Sequence, residues 1–545
     1  MERAEDMSCE PVPPHRPWFR FWPEGVAKHV DYPEVSLYQF VVDSARRSPY
    51  SAALISGERR VTYRELDLAS TRLACGLQEL GVARDDRVMI VLRNSPEFVI
   101  SYYGILKAGA IMTAASPLCK RDELERQVGD ADPKVIICEV NTLPLIEEVV
   151  PKRAQRALVV IDGTEAEGIF NFEKLIAAAE PSVHRVSMQS QDDIAVLQYT
   201  GGTTGLPKGA MMTHFNLVAN AIQNALWFKW TKDDVVLGVL SLCHTWGLCT
   251  CINSAVFVGA PVVLVPRFDP EEVLCTVERE KVTIAYGSAS MFSMLLNAST
   301  INERTVSSLR LAKAGAMPIP DEVKRKWDGL GGCELTLGYG LTEASPETHD
   351  SPPERVKRGS IGIPIIDTDA KIVDLETGAK ELGPDEIGEL ALRGPQVMKG
   401  YWNAPQETAR VLRDGWLFTG DIAQMDEEGY FYVLDRRKDL IKYKGYSIFP
   451  AEVETILDEH PAVRECAVVG RWSSEVGEVP TAFVVLNPKI SISRAELIDF
   501  CAQRIAPYKR IREVEFVSEI PKTVVGKPLR RALRGDGSCS TSVEP

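Results

Sequence analysis

The sequence predicts an α/β protein: a large N-terminal domain of parallel-sheet units plus a β-rich subdomain, then a small mobile α+β C-terminal domain. Three observations predict it. From Leu37 onward, helical patterns alternate with short apolar runs, which implies βαβ units and parallel sheet. After about Asp350, short strands (DAKIVD, GELALRG, YFYVLDR) are separated by Gly, Pro and Asp turns, a β-rich pattern. Beyond the charge run Asp435-Arg436-Arg437-Lys438-Asp439 lies a compact pattern of helix from Ala451, strands AVVGR and TAFVVLN, helix from Arg494 and strand EVEFV.

In chain order, residues 1–35 read as a lead-in, acidic and Pro-rich, without the basic-then-apolar layout of a signal peptide. Trp18, Phe19, Phe21 and Trp22 are expected to dock it on the body. Residues 36–435 form the large domain, with strands expected at RVMIVL (87–92), YYGILKAGAIMTAAS (102–116), KVIIC (134–138), RALVVID (156–162) and DIAVLQYT (193–200). The segment Val235 to Pro266 holds no Asp, Glu, Lys or Arg and is long enough to span a membrane. Its Ser241, His244, Thr245, Thr250, Asn253 and Ser254 would be penalised in lipid. It therefore reads as strand VVLGVLS, helix Leu248 to Val258 and strand PVVLV, buried in a doubly covered sheet. Residues 436–439 read as a hinge, 440–534 as a small lid domain, and 535–545 as a frayed tail.

Composition narrows the function. The 545 residues are 45% apolar and 25% charged, an average globular mixture that excludes disorder, collagen and coiled coil. The 62 basic and 76 acidic residues give a net charge of −14, which argues against nucleic acid as partner. The 12 cysteines include no Cys-x-x-Cys, the usage of a reduced, cytoplasmic protein. A homodimer and a peripheral membrane contact stay open.

Five segments carry candidate chemistry. Tyr199-Thr-Gly-Gly-Thr-Thr-Gly-Leu-Pro-Lys-Gly209 leaves an apolar strand and precedes a helix starting near His214. Thr200, Gly201, Gly202, Thr203, Thr204, Gly205 and Lys208 suit a phosphate: glycines let backbone N–H groups converge, hydroxyls donate, and the ammonium adds charge. It is not a Walker A loop. Gly338-Tyr339-Gly340-Leu341-Thr342-Glu343 presents an aromatic plane, a hydroxyl and a carboxylate, suited to a purine, a phosphate and Mg²⁺. Gly415-Trp-Leu-Phe-Thr-Gly-Asp421 places a carboxylate at a strand edge, able to grip ribose hydroxyls or to close an Asx turn. The run 435–449 follows, and Pro521-Lys-Thr-Val-Val-Gly-Lys527 ends the series.

Each element is ambiguous alone, but the ordered set YTGGTTGLPKGA, GYGLTE, GWLFTGD, DRRKDLIKYKGYSIFPAEVE and PKTVVGKPLRR resembles the adenylate-forming superfamily: acyl-CoA synthetases, peptide-synthetase adenylation domains and luciferases. The resemblance runs from about Pro33 to Arg534. The loop's TGGTTG form and Gly-Glu-Val-Pro-Thr-Ala-Phe-Val-Val (477–485) are most similar to the fatty acyl-CoA synthetase branch. The resemblance implies that Thr200 to Lys208 hold the β- and γ-phosphates of ATP. Tyr339 would pack on adenine, Thr342 contact the α-phosphate, Glu343 ligate Mg²⁺, and Asp421 bind the ribose with Arg436 beside it. Lys438 would be the hinge residue, Lys444 and Gly445 would meet the pantetheine arm of coenzyme A, and Lys527 would be the mobile catalytic lysine. His244 matches an acyl-pocket residue. The pocket is expected between 243–248, the helix bearing Trp227, Ala314-Gly315-Ala316, and Gly338 to Gly340. Gly340 stands where acetate-specific relatives carry Trp, which implies acids larger than acetate.

The implied reaction is ATP + carboxylic acid + CoA → acyl-CoA + AMP + pyrophosphate, on a medium- or long-chain fatty acid. Two details depart from the pattern. Pro528 follows Lys527, and Cys243-His-Thr-Trp-Gly247 replaces Phe-His-x-x-Gly. An aryl or other small-acid ligase, and an adenylation enzyme loading a carrier protein, share the chemistry. A non-catalytic nucleotide-binding regulator is disfavoured by Glu343 and Lys527.

Overall fold

The computed structural model describes residues 16–150, 156–163, 165–181, 188–200, 208–301, 306–437, 439–443, 446–473, 477–488, 490–522 and 528–534. Contacts group the chain into two compact units: Met1–Asp369 with Leu392–Leu417, and Ala370–Ala391 with Phe418–Pro545.

The first unit is built on two large sheets. One has seven strands in the order Leu335–Leu337, Leu311–Gly315, Ile284–Ser288, Val236–Gly238, Val262–Leu264, Ala52–Ser56, Arg59–Thr62, all neighbours parallel except the last pair. Every residue of Ile284–Ser288 and Leu311–Gly315 is buried, as expected for parallel strands covered on both faces. The other has eight, in the order Gly400–Tyr401, Lys208–Thr213, Ile194–Thr200, Ile111–Ala114, Arg87–Val91, Val135–Glu139, Ala157–Ile161, Ile169–Asn171. Its first two pairings are antiparallel and the rest parallel.

Two expected elements differ. The strand read over 102–116 is the end of helix Pro96–Lys107 followed by the short strand Ile111–Ala114. Ser95 caps that helix by accepting from Phe98 N at 3.2 Å, and Pro96 occupies its first turn. Nearly all its residues are buried, so it lacks the polar stripe that reveals a helix. The helix read from Leu248 begins as a π-helix, Gly247–Asn253, and becomes α-helical only over Ser254–Val258. Among the described residues no helix is long and apolar enough to cross a membrane.

The lead-in is docked from residue 16 onward. Trp18 is buried, Trp22 meets the Trp227 ring edge-on at 5.0 Å, and Asp367 accepts from Val30 N and Tyr32 Oη at 3.0 and 2.8 Å. Helix His214–Trp227 starts with a reciprocal cap between Thr213 and Asn216. It carries an unusual buried amide stripe: Asn216, Asn220, Gln223 and Asn224 recur at helical spacing on one face. Each finds a partner. Asn216 donates to Pro395 O, Asn220 to Glu347 O, Gln223 to Ile366 O and Asn224 to Ser254 Oγ, at 2.6 to 3.0 Å. These bonds fasten loops distant in sequence to one rigid helix.

In the second unit, Trp416–Met425 pairs antiparallel with Phe431–Arg436, setting Asp421 opposite Arg436. A five-stranded sheet follows, with Tyr446–Ile448, Ile441–Tyr443, Gly477–Leu486 and Val463–Ser473 in order, and Glu513–Phe516 parallel to Gly477–Leu486. Helices Pro450–Asp458 and Arg494–Ala502 contribute Val453, Leu457, Leu497 and Cys501 to the core that covers it.

Candidate active site

Thr200 ends one strand and Lys208 begins the next, and the antiparallel register pairs them directly. The chain must therefore leave and re-enter the sheet edge at one point, where a loop can present backbone N–H groups. Gly201, Gly202, Thr203, Thr204 and Gly205 lie outside the described residues. Lys208 pairs with the Glu407 carboxylate, and its Nζ lies 5.3 Å from the Tyr401 ring centroid. Tyr401 pairs with Ala210 across the sheet and donates from Oη to Glu343 Oε1 at 2.6 Å. Glu343 sits in the short 3₁₀ turn Thr342–Ala344, and its carbonyl accepts from Met398 N at 2.8 Å. Lys208 and the GYGLTE carboxylate are thus joined through one phenol. Sequence reasoning missed Tyr401 and Glu407. Gly400 has φ +146°, but no local pattern marks the tyrosine after it.

The turn bearing Thr342 and Glu343 is built around glycines. Tyr339 and Gly340 form a two-residue strand against Glu347–Asp350, with the half-buried Tyr339 ring edge-on to His349 at 5.8 Å. A Cβ on Gly338 would lie 2.3 Å from Lys313 Cε, and one on Gly340 would lie 2.3 Å from Pro346 O. Glycine at 340 is thus demanded by backbone approach, independently of any room it leaves for an acid.

The expected acid pocket elements also lie in this unit. His244 is half-buried; burial holds its imidazole below the ordinary 6.5. Its Nε2 is shielded from solvent and has no hydrogen-bond partner among the described residues. Such an atom costs about 1–3 kcal/mol until something satisfies it. Gln198 of strand Ile194–Thr200 donates to Cys243 O at 2.8 Å, tying this segment to the strand that ends at Thr200. A Cβ on Gly315 would lie 2.8 Å from the Trp246 indole, so the indole lies directly on that strand end. Ala316 follows with φ +69°, a left-handed conformation that alanine adopts at a cost and that clusters at functional sites. A separate small apolar cavity, lined by Val239, Phe268, Val273, Phe292 and Trp327, is a packing void of the hydrophobic core.

In the second unit Arg436 Nε lies 2.5 Å from Asp421 Oδ1, and Asp421 N donates to Thr419 Oγ1 at 3.0 Å. Asp421 is buried. Around the segment read as a hinge, Arg530 lies 2.6 Å from Glu454, 3.5 Å from Asp439 and 3.8 Å from Asp435. Burial raises the pKa of both the Glu454 and the Asp435 carboxyls. Lys438, Lys444, Gly445 and Lys527 fall outside the described residues. Their flanks are placed: Tyr443 pairs with Tyr446, and Lys522 with Pro528.

Among the described residues no cluster of three His, Cys, Asp or Glu could cage a metal. A single carboxylate, with one oxygen fixed by Tyr401, fits Mg²⁺, which favours one or two carboxylates together with phosphates and waters.

Comparison with known proteins identifies the family. Residues 41–402 match the AMP-binding enzyme family, and residues 452–527 match the AMP-binding enzyme C-terminal domain. A long-chain-fatty-acid–CoA ligase of Bacillus subtilis is 40% identical over 546 residues, covering 95% of this chain and 97% of that protein. 4-Coumarate–CoA ligase 2 of Solanum tuberosum is 36% identical, over 88% of this chain and 90% of its own. The crystal structure of ATP-bound MatB from Rhodopseudomonas palustris superposes with a TM-score of 0.84 at 29% identity, covering 92% of this chain and 98% of that one.

Proposed function

This chain belongs to the AMP-binding enzyme family and is an AMP-forming acid–CoA ligase, and we propose that its acid is a medium- or long-chain fatty acid activated through an acyl adenylate. One oxygen of the acid's carboxylate attacks the α-phosphorus of ATP, and the bond to the β-bridging oxygen breaks to release pyrophosphate. The coenzyme A sulfur, its proton lost to solvent, then attacks the acyl carbon, and the bond from that carbon to the bridging oxygen breaks, so that AMP leaves with that oxygen. The carboxylate is its own nucleophile, so no activated Ser or Cys is needed. What the protein supplies is position and charge.

The roles proposed are those the resemblance to the adenylate-forming superfamily implies. Thr200, the loop after it and Lys208 hold the β- and γ-phosphates. Tyr339 packs on adenine, Thr342 meets the α-phosphate, and Asp421 with Arg436 takes the ribose. Glu343 would hold Mg²⁺, which supplies charge neutralisation at the phosphates. His244 Nε2 meets the acid at the reacting end. The observation that carries this reading is the chain Lys208–Tyr401–Glu343, which sets a cation and a carboxylate on either side of one phenol. Pairing of Lys208 with Glu407 keeps the ammonium compensated until phosphates displace that carboxylate.

Trp246 lying on Gly315 favours one further reading of the acid. An indole packed there would favour a flat aryl acid over a long chain, and the 36% identical relative is named a 4-coumarate–CoA ligase. Half-buried free thiols such as Cys119 and Cys333 fit a reducing compartment, the cytoplasm.

Lys527 and Gly445 are proposed to serve the two half-reactions in turn, with residues 440–534 swinging about Lys438 between them. Lys527 serves adenylation by offsetting carboxylate–phosphate repulsion, and Gly445 lets the pantetheine arm approach the backbone. Acid-dependent exchange of labelled pyrophosphate into ATP, run from acetate to long-chain and aromatic acids, tests the reading. Lys527→Ala should lose about 10²–10³ in that exchange and spare CoA capture of preformed adenylate, while Gly445→Leu does the opposite. Exchange that peaks at acetate, or equal loss of both half-reactions in both variants, contradicts it.

A further inference from the structure

The core of the first unit holds a charged cluster that the reaction does not use. Lys313 stands in the fully buried strand Leu311–Gly315, two residues before Gly315. Its Nζ lies 2.8 Å from Glu347 Oε1 and against the Asp350 carboxylate. The ammonium also sits 4.4 Å from the Phe228 ring centroid and 5.9 Å from that of Tyr286. All three charged side chains are at most 6% exposed. Burial lowers the pKa of Lys313, and Glu347 works against that shift.

Such a cluster is a poor way to gain stability. Removing charges from water costs several kcal/mol per ion, and apolar replacements of like volume are often neutral or stabilising. Its best-attested use is to fix register, and this place needs register fixed. Glu347 and Asp350 are the two ends of strand Glu347–Asp350, which lies between two antiparallel partners of two residues each, Tyr339–Gly340 and Ile363–Pro364. A two-residue ladder with an irregularity between its pairs defines its own register weakly. Glu347 is gripped a second time: its N donates to Asn220 Oδ1 at 3.1 Å and its O accepts from Asn220 Nδ2 at 2.8 Å. Gly338 completes the fit, since a Cβ there would lie 2.6 Å from Lys313 Nζ.

We propose that Lys313, Glu347 and Asp350 act as positioning residues, a charged clamp that locks the Tyr339–Glu343 turn in register against the parallel sheet. The proposal rests on the assignment of that turn to the nucleotide. The sheet end supplies a rigid cation, the hairpin supplies two anions, and helix His214–Trp227 holds the same hairpin through Asn220. Sliding the hairpin by one residue would carry Glu347 away from both Lys313 and Asn220, so correct register is the arrangement that satisfies all partners.

The test is the apolar replacement Lys313→Met/Glu347→Leu/Asp350→Asn, which leaves no buried charge uncompensated. It should fold with a melting temperature at or above wild type, yet raise KM for ATP on the order of tenfold or lower adenylation kcat by as much, because small misplacements of binding groups are costly. KM for the acid should stay within about twofold of wild type, as expected when only the nucleotide turn is displaced. An effect on the acid alone overturns the clamp. Should the triple variant not fold, Glu347→Gln, which weakens the ion pair and leaves Lys313 beside Asp350, should show the same split in smaller degree. A readout independent of turnover separates this from the nucleotide assignment: amide exchange of residues 339–344 must quicken in the variant. If it quickens while ATP kinetics hold, the nucleotide assignment fails; if it does not quicken, the clamp fails.

Discussion

Replacing Tyr401 by Phe removes one hydroxyl and keeps everything else that the ring does. The Oη–Oε1 distance of 2.6 Å marks a short bond to an ionised acceptor. Bonds to charged groups contribute roughly 1.5–3 kcal/mol, and the half-exposed setting of Glu343 points to the lower end. About 1.5 kcal/mol is roughly tenfold in an equilibrium or a rate. Tyr401 itself is buried at 8% exposure, so Phe keeps the packing and the face beneath Lys208 at 5.3 Å. The carboxylate would then be free to rotate. Acid-dependent pyrophosphate exchange, titrated with Mg²⁺ at saturating acid, should need more Mg²⁺ and run about tenfold slower at limiting ATP. Tyr401→Ala should lose more, since it also removes the ring under Lys208 and leaves a cavity, a change that typically costs about 3–5 kcal/mol for a large aromatic. If Phe at 401 matches wild type within twofold at every Mg²⁺ concentration, Tyr401 does not orient Glu343 and the link between the two motifs has no functional weight.

Two further outcomes follow from the same geometry. Burial holds His214 at about 4, below its usual 6.5, and its Nδ1 accepts from Leu37 N at 3.1 Å. The unfolded chain therefore takes up a proton first as pH falls. The stability of the neutral form is whole above 6.5 and falls by about 1.4 kcal/mol per pH step down to about 4. His214→Gln, which can still accept from Leu37, should flatten that part of the urea-midpoint profile; a profile identical to wild type removes His214 as its source. Gly315→Ala would set a Cβ 2.8 Å from the Trp246 indole, an overpacking that costs about 1–3 kcal/mol. It should lower kcat/KM for the preferred acid without moving KM for ATP, while Gly315→Ala/Trp246→Leu restores activity with a shifted acid preference; an effect on ATP instead shows that this strand end does not line the acid site.

Much of the body was legible because buried parallel strands are continuous apolar runs: Val135–Glu139 and Ile194–Thr200 stand out in the sequence as they do in the sheet. Helix Pro96–Lys107 was not, because a helix buried on all sides has no polar face to set its period. The segment 199–209 and the GYGLTE turn stand out in the sequence as local patterns of glycine, hydroxyl and charge. Tyr401 was not, since it reaches Glu343 only through the pairing of Gly400–Tyr401 with the strand that starts at Lys208. Lys313 was hidden for a different reason. In LAKAGAM a lone lysine reads as the solvent side of a strand, and only the fold brings Glu347, 34 residues on, to the same point. Asn220 and Asn224 were likewise masked, because a helix face of amides looks exposed until its partners arrive from Glu347, Ser254 and Tyr286.

The acyl adenylate is the centre of the account, and the fate of the acid's oxygen tests it most directly. The enzyme would be given ATP, coenzyme A and a fatty acid labelled with ¹⁸O in both carboxylate oxygens, and the phosphorus products resolved by mass spectrometry. Attack of the carboxylate on the α-phosphorus predicts one ¹⁸O in the phosphate of AMP and none in pyrophosphate. Label in inorganic phosphate with ADP as the nucleotide product, or AMP formed without label, would contradict it.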